Sequence, residues 1–161
     1  MKAERSFWSR GRGGLLVGLF LLLLAPGCPG SDPGEAADVL HVAVTGAPND
    51  YTFAVTIRSP DTGCEQYADW WEVLGTDGTL IYRRILTHSH PDEQPFTRTG
   101  GPVAIDAERK VIVRAHMNTS GYGGKAMSGT PAGRFAEDPT ITEDFAPEVE
   151  TMEPQPDGCA F

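Results

Sequence analysis

Positive charge is scarce over most of this sequence. Of its 13 Lys and Arg residues, four (Lys2, Arg5, Arg10 and Arg12) fall within the first fourteen positions, and from residue 28 onward 9 bases face 21 acids, a net charge of −12. Such a surface repels phosphate backbones, which argues against nucleic acid as a partner. Cysteine is also sparse: three residues cannot build a disulfide scaffold. No apolar run reaches the roughly 20 residues that a membrane-spanning helix needs, and the longest, Leu15 to Leu24, would rise only about 15 Å as a helix. An apolar stripe at helical spacing, an internal repeat, and a nucleophile whose spacing to a base forces contact are all missing, so neither a helical fold nor a catalytic constellation is readable.

What is present begins with an address. The basic segment up to Gly14 followed by the apolar run reads as the n-region and h-region of an export signal spanning residues 1–27. Ala25-Pro26-Gly27-Cys28 follows, and it resembles the lipobox of bacterial lipoproteins, in which small residues precede a cysteine that is diacylated before cleavage. Two positions depart from that pattern, since Leu24 lies four rather than three residues before the cysteine and Pro26 is unusual inside the box. The alternative is ordinary signal-peptidase cleavage at the same bond, because Ala25 and Gly27 also fit a small-residue site. The odd cysteine count favours lipidation: a lipid on Cys28 leaves the even pair Cys64 and Cys159. The expectation is a lipid-anchored protein of the bacterial cell envelope, with the membrane as partner through Cys28 and a Cys64–Cys159 disulfide formed in an oxidising compartment.

The mature chain divides by composition. Residues 28–37 are rich in Pro, Gly and acid and read as a flexible tether. Residues 38–134 read as one folded domain, and residues 135–161 as an acidic, proline-rich tail with eight acids, four prolines and no Lys or Arg. Within the domain, apolar residues alternate at Leu40, Val42 and Val44, and again at Tyr51, Phe53, Val55 and Ile57, the period of half-buried strands. Trp71 and Val73 mark a third strand, Asp77-Gly78 a turn into a fourth from Thr79 to Thr87, and Val111, Val113, Ala115 and Met117 a late one. Weaker signals stand at 95–99, 103–105 and 125–128. The pattern predicts an all-β, antiparallel sandwich of about seven strands.

The stretch from Tyr51 to Lys125 resembles an uncharacterised family of small exported bacterial domains that look immunoglobulin-like or fibronectin type III-like. The resemblance is carried by Ser59-Pro60-Asp61-Thr62-Gly63, Trp71-Glu72-Val73-Leu74, Glu93-Gln94-Pro95-Phe96-Thr97-Arg98, Arg114-Ala115-His116 and Gly121-Tyr122-Gly123-Gly124. It implies fold and export and supplies no activity. Cys64 departs from the pattern, and Ala126 to Gly129 makes a poor last strand, leaving that edge either frayed or completed by the tail.

If the strands follow immunoglobulin order, three loops meet at one pole, displaying His88, His90, Glu93, His116, Tyr67, Asp69 and Tyr122. His88 and His90 project from one face of a continuing strand and, with His116 or Glu93, make a candidate site for Cu²⁺ or Zn²⁺. Thr87-His88-Ser89-His90-Pro91-Asp92-Glu93 also looks like the THxHxDH signature of metallo-β-lactamase-type hydrolases. However, Glu93 replaces the final histidine and the downstream ligands are missing. The plainer alternative is that these histidines are polar residues at a strand end with no ligand. Gly121 to Lys125 lacks the first glycine and the Ser or Thr of a phosphate loop and reads as a turn. Trp70 should face outward from the Trp71 strand, so Trp70, Tyr67 and Tyr122 are candidate partner-binding aromatics unless the tail covers them. The leading expectation is a non-enzymatic binding or structural module with no cofactor, and the alternative is a transition-metal binding protein.

Overall fold

The computed structural model describes residues 34–160. The expected signal segment, Cys28 and the first part of the expected tether lie outside the described residues. Eight strands run in the order β1 (Asp38–Ala47), β2 (Asp50–Arg58), β3 (Ala68–Gly75), β4 (Leu80–Ile85), β5 (Phe96–Val103), β6 (Val111–Met117), β7 (Met127–Gly129) and β8 (Ala136–Glu137). A single 3₁₀ turn over Pro147–Thr151 follows them, and no α-helix occurs among the described residues. Nor is any helix there long and apolar enough to cross a membrane.

All strand pairs are antiparallel and form two sheets, β1-β2-β5 and β4-β3-β6-β7-β8. Alternation decides what each sheet buries. In β2, Tyr51, Phe53, Val55 and Ile57 turn inward and their neighbours outward. From the second sheet, Trp71 and Val73 on β3 and Val111, Val113, Ala115 and Met117 on β6 meet them, so one hydrophobic core lies between two layers. β1 deviates from the simple alternation because a bulge between Val39 and His41 shifts its register. Val39 and Val42 are buried while Leu40 stays partly exposed. The hairpin at Asp77-Gly78 forms as its sequence predicts, with Gly78 at φ 84° and the Asp77 carboxylate accepting from the Thr79 amide at 3.1 Å. The weak signal near 95–99 falls in β5, whereas of the signal at 103–105 only Val103 is in a strand, the last residue of β5.

Every residue of β3 and β6 is buried, although a two-layer sandwich would leave one face of each exposed. The covering layer is the tail. Packing continues past residue 134: Phe135 reaches the main core edge-on to Phe53, and β8 pairs with β7, so the tail completes the poor last edge. Ile141, Phe145 and Val149, spaced four residues apart, then lie on the outer face of the larger sheet against Trp70, Leu74 and Ile112. At the other end of the chain, Ala36 and Ala37 are already buried, and the Val39 amide donates to the Lys125 carbonyl at 2.9 Å, so the domain begins before the expected end of the tether. The Ala37 carbonyl passes where a Cβ on Gly124 would stand, which only glycine permits.

Candidate functional site

The chemistry-bearing side chains concentrate on the outer face of β4-β3-β6, beneath the tail. Cross-strand register sets their positions: Glu72 stands opposite Arg83 on β4 and Arg114 on β6, and Trp70 opposite His116. Glu72 is fully buried and accepts from Arg83 Nε and Nη2 at 2.9 and 2.7 Å through one oxygen and from Arg114 Nε at 2.8 Å through the other. One carboxylate cannot balance two guanidinium groups, and the remaining donors go to tail carbonyls. Arg83 reaches the carbonyls of Val149, Met152 and Pro154 at 2.6, 2.6 and 3.1 Å, and Arg114 those of Phe145 and Ala146. Both cations also lie over rings, Arg83 4.4 Å from the Trp70 centroid and Arg114 3.5 Å from that of Tyr122.

Beside this cluster a cleft of about 490 Å³ opens between the sheet and the tail, lined by Asp69, Trp70, His116, Asn118, Glu150 and Gln155 among others. His116 forms its inner wall. Its ring stacks on Trp70 with centroids 3.6 Å apart and planes 7° from parallel, and its Nδ1 lies 2.7 Å from the Asp69 carboxylate. Its Nε2 faces Glu150 Oε1 at 3.2 Å. Tyr122 meets the His116 ring edge-on with centroids 4.8 Å apart, its hydroxyl pKa pushed up by burial and then by the Glu72 charge.

The three loops of the expected pole do meet. Asn118 accepts from the Tyr67 amide at 2.9 Å, and Asp61 accepts from the His90 amide at 2.8 Å and the Ala68 amide at 2.9 Å. The four candidate metal ligands nevertheless do not converge. His116 is turned to the Trp70 face, whereas His90 is buried between His88 and Phe96, with ring centroids 4.5 and 4.1 Å away. Glu93 is taken by a two-point pair with Arg98, at 3.1 and 2.7 Å, which holds its carboxyl below the usual range. The spacing of strands explains the separation, because β3 runs between β4, which leads into His88 and His90, and β6, which carries His116. Among the described residues no group of three or more His, Cys, Asp or Glu side chains is gathered to hold a metal ion.

The candidate partner-binding aromatics are buried as well: Tyr67, Trp70 and Tyr122 are 4, 3 and 6% exposed. The tail covers Trp70 and Tyr122, and the Asn118 bonds draw Tyr67 into the loop cluster. Cys64 and Cys159 are joined in a disulfide with Cα atoms 5.5 Å apart, pinning the end of the tail to the pole. Sequence reasoning left Glu72, Arg83 and Arg114 out of the candidate site. Their signal was available, since a Glu flanked by two apolar residues in the middle of a core strand must find partners if its outer face is covered.

The chain matches no family model, and no solved structure matches it. One similar protein is named a lipoprotein. It comes from Halomicrobium mukohataei, carries the name "Putative lipoprotein", and is 43% identical over 75 residues. The aligned part is 47% of this chain and 37% of the Halomicrobium protein, so the match spans little more than a third of that relative's length.

Proposed function

We propose that this chain is an envelope-anchored lipoprotein whose β-sandwich is a non-enzymatic binding or structural module. The observation that carries the reading is Cys28 at the end of an apolar run too short to span, in a chain with partial identity to a protein named as a lipoprotein. The seven residues between Cys28 and Ala36, the first buried residue of the domain, would hold it no more than about 30 Å from an anchored cysteine. The order β1-β2-β5 facing β4-β3-β6-β7 supports reading the sandwich as immunoglobulin-like or fibronectin type III-like. A structural or binding role is favoured because the buried charges serve to bind the tail to the sheet, which spends them on rigidity.

Detergent phase partition of the exported protein tests the anchor. Wild type should enter the detergent phase and Cys28→Ser should remain in the aqueous phase. Identical partition of the two would remove the lipoprotein reading.

A further inference from the structure

Going beyond that reading, we propose that His116 is a proton-operated latch: its imidazolium ties the Asp69 carboxylate of the sheet to the Glu150 carboxylate of the tail, and its deprotonation loosens the turn that carries Glu150. Both contacts are in place, with Nδ1 2.7 Å from Asp69 Oδ1 and Nε2 3.2 Å from Glu150 Oε1. A carboxylate only accepts, so the two contacts together use both ring N–H groups, which an imidazole carries only when protonated. Neutral, the ring keeps one hydrogen and must give up one partner. Burial decides which. The Asp69 side chain is 6% exposed and cannot turn to water, whereas that of Glu150 is 48% exposed and can. The remaining hydrogen therefore stays on Nδ1 with Asp69, and Glu150 turns from the bare Nε2 lone pair toward solvent.

The surroundings keep the ring in place while its charge changes. Stacking on Trp70 fixes the ring plane. Behind Trp70 lies Arg83, 4.4 Å from the indole centroid, but Glu72 already pairs with that guanidinium. Tyr122 meets the ring edge-on with its hydroxyl held protonated by burial, and Arg114 above Tyr122 is also paired with Glu72. Asn118, Thr151 and Gln155 on the same cleft are neutral. Carboxylates ordinarily titrate about two pH units below imidazole, so near neutrality the imidazole is the switching group of this cluster. The latch is thus closed below about pH 6.5 and opens as pH rises. Arg83 still holds the carbonyls of Val149 and Met152, so the turn loosens without the outer layer leaving the sheet.

Hydrogen exchange of the full chain, followed by NMR at about pH 5.5 and about pH 8 and corrected for the intrinsic pH dependence of exchange, tests the latch. The reporters are the amides of Val149 and Met152, which donate to the Ala146 and Val149 carbonyls within the turn. Their protection should fall about two- to fivefold at the higher pH, the size of a partly exposed ion pair. Glu150→Gln, at a half-exposed position, should abolish the difference, because an amide can accept from the protonated ring and donate to the neutral one. His90→Phe should retain it, since that histidine stacks on Phe96 away from the tail turn. Equal protection of the wild type at the two pH values overturns the proposal, as does a difference that persists in Glu150→Gln or vanishes in His90→Phe. Detergent partition is independent of every one of these readouts, so the anchor and the latch fail separately.

Discussion

At the scale of single residues, Glu72 holds the most charge in the least space. Its carboxylate lies between two guanidinium groups whose side chains are 0 and 4% exposed, and replacing it with Ala would leave both cations buried without a counter-charge. Removal of one partner from such a cluster costs about 3 to 5 kcal/mol. Glu72→Ala should therefore lower the unfolding free energy by that amount in denaturant titration, and a loss below about 1 kcal/mol would mean that the tail carbonyls alone satisfy the arginines. His90 supplies a second test. Burial, then the nearby charges of Arg98 and His88, depress its pKa below the ordinary 6.5. The unfolded chain then binds this proton more readily than the folded one. The stability that neutral His90 preserves is complete above about pH 6.5 and is lost as pH falls through that value toward the folded pKa. His90→Phe keeps a ring against Phe96 and removes the titration, so its stability should fall less between pH 7 and 5 than that of wild type. Superimposable pH profiles would show that His90 contributes nothing to acid sensitivity.

At the scale of elements, the tail behaves as a third layer that is attached by β8 on β7, by Ile141, Phe145 and Val149 packed against Trp70, Leu74 and Ile112, by carbonyls on Arg83 and Arg114, and by the Cys64–Cys159 disulfide. Reduction should loosen the last attachment alone. The 95-residue separation corresponds to about 4 to 5 kcal/mol in the entropic model, and measured losses are often smaller. Hydrogen exchange of the reduced protein should rise over residues 145–160 while β2 and β5 stay protected, and uniform exposure of all strands would show that the tail is integral to one cooperative unit. The strands were legible in the sequence because period-2 alternation follows directly from the pleat, as at Tyr51, Phe53, Val55 and Ile57. The bulge in β1 was not, since nothing local in Val39-Leu40-His41 marks it. The third layer was hidden for a different reason. Ile141, Phe145 and Val149 are separated by acids and prolines that read as disorder, and their burial depends on partners more than 60 residues away in the other direction along the chain, such as Trp70 and Leu74. The histidines misled in the same way: His88 and His90 stand two positions apart in sequence, but the convergence of His116 depended on which face of the sheet its side chain takes, and the Trp70 stack takes it to the outer one.

At the scale of the whole molecule, the excess of acid sets how stability responds to salt. Nine bases against 21 acids after residue 27 give a net charge of −12, and the tail alone holds eight acids without a base, folded against a sheet that is itself flanked by acidic loops. Self-repulsion of this kind destabilises the compact state, because unfolding spreads the charges apart. Added salt acts on two opposed contributions. It weakens exposed attractive pairs such as Arg98–Glu93 and Lys125–Glu137, each contributing about 0 to 1 kcal/mol. It also screens every repulsion longer than the Debye length, which falls from about 10 Å at 0.1 M to about 3 Å at 1 M. Among the described residues such exposed pairs are weak beside a net charge of −12, and the buried Arg83–Glu72–Arg114 cluster is shielded from the ions by its own burial. Repulsion therefore dominates the response, and the thermal unfolding midpoint should rise as NaCl is increased from 0.05 to 1 M. The tail should account for a measurable share of that rise. Glu148 and Asp157 are exposed there, so Glu148→Gln combined with Asp157→Asn should raise the midpoint at low salt and flatten its dependence on NaCl, while leaving the high-salt midpoint close to that of wild type. A midpoint that falls with salt would mean that attractive surface pairs outweigh the net charge, and an unchanged slope in the double variant would place the repulsion in the loops of the sandwich and not in its outer layer.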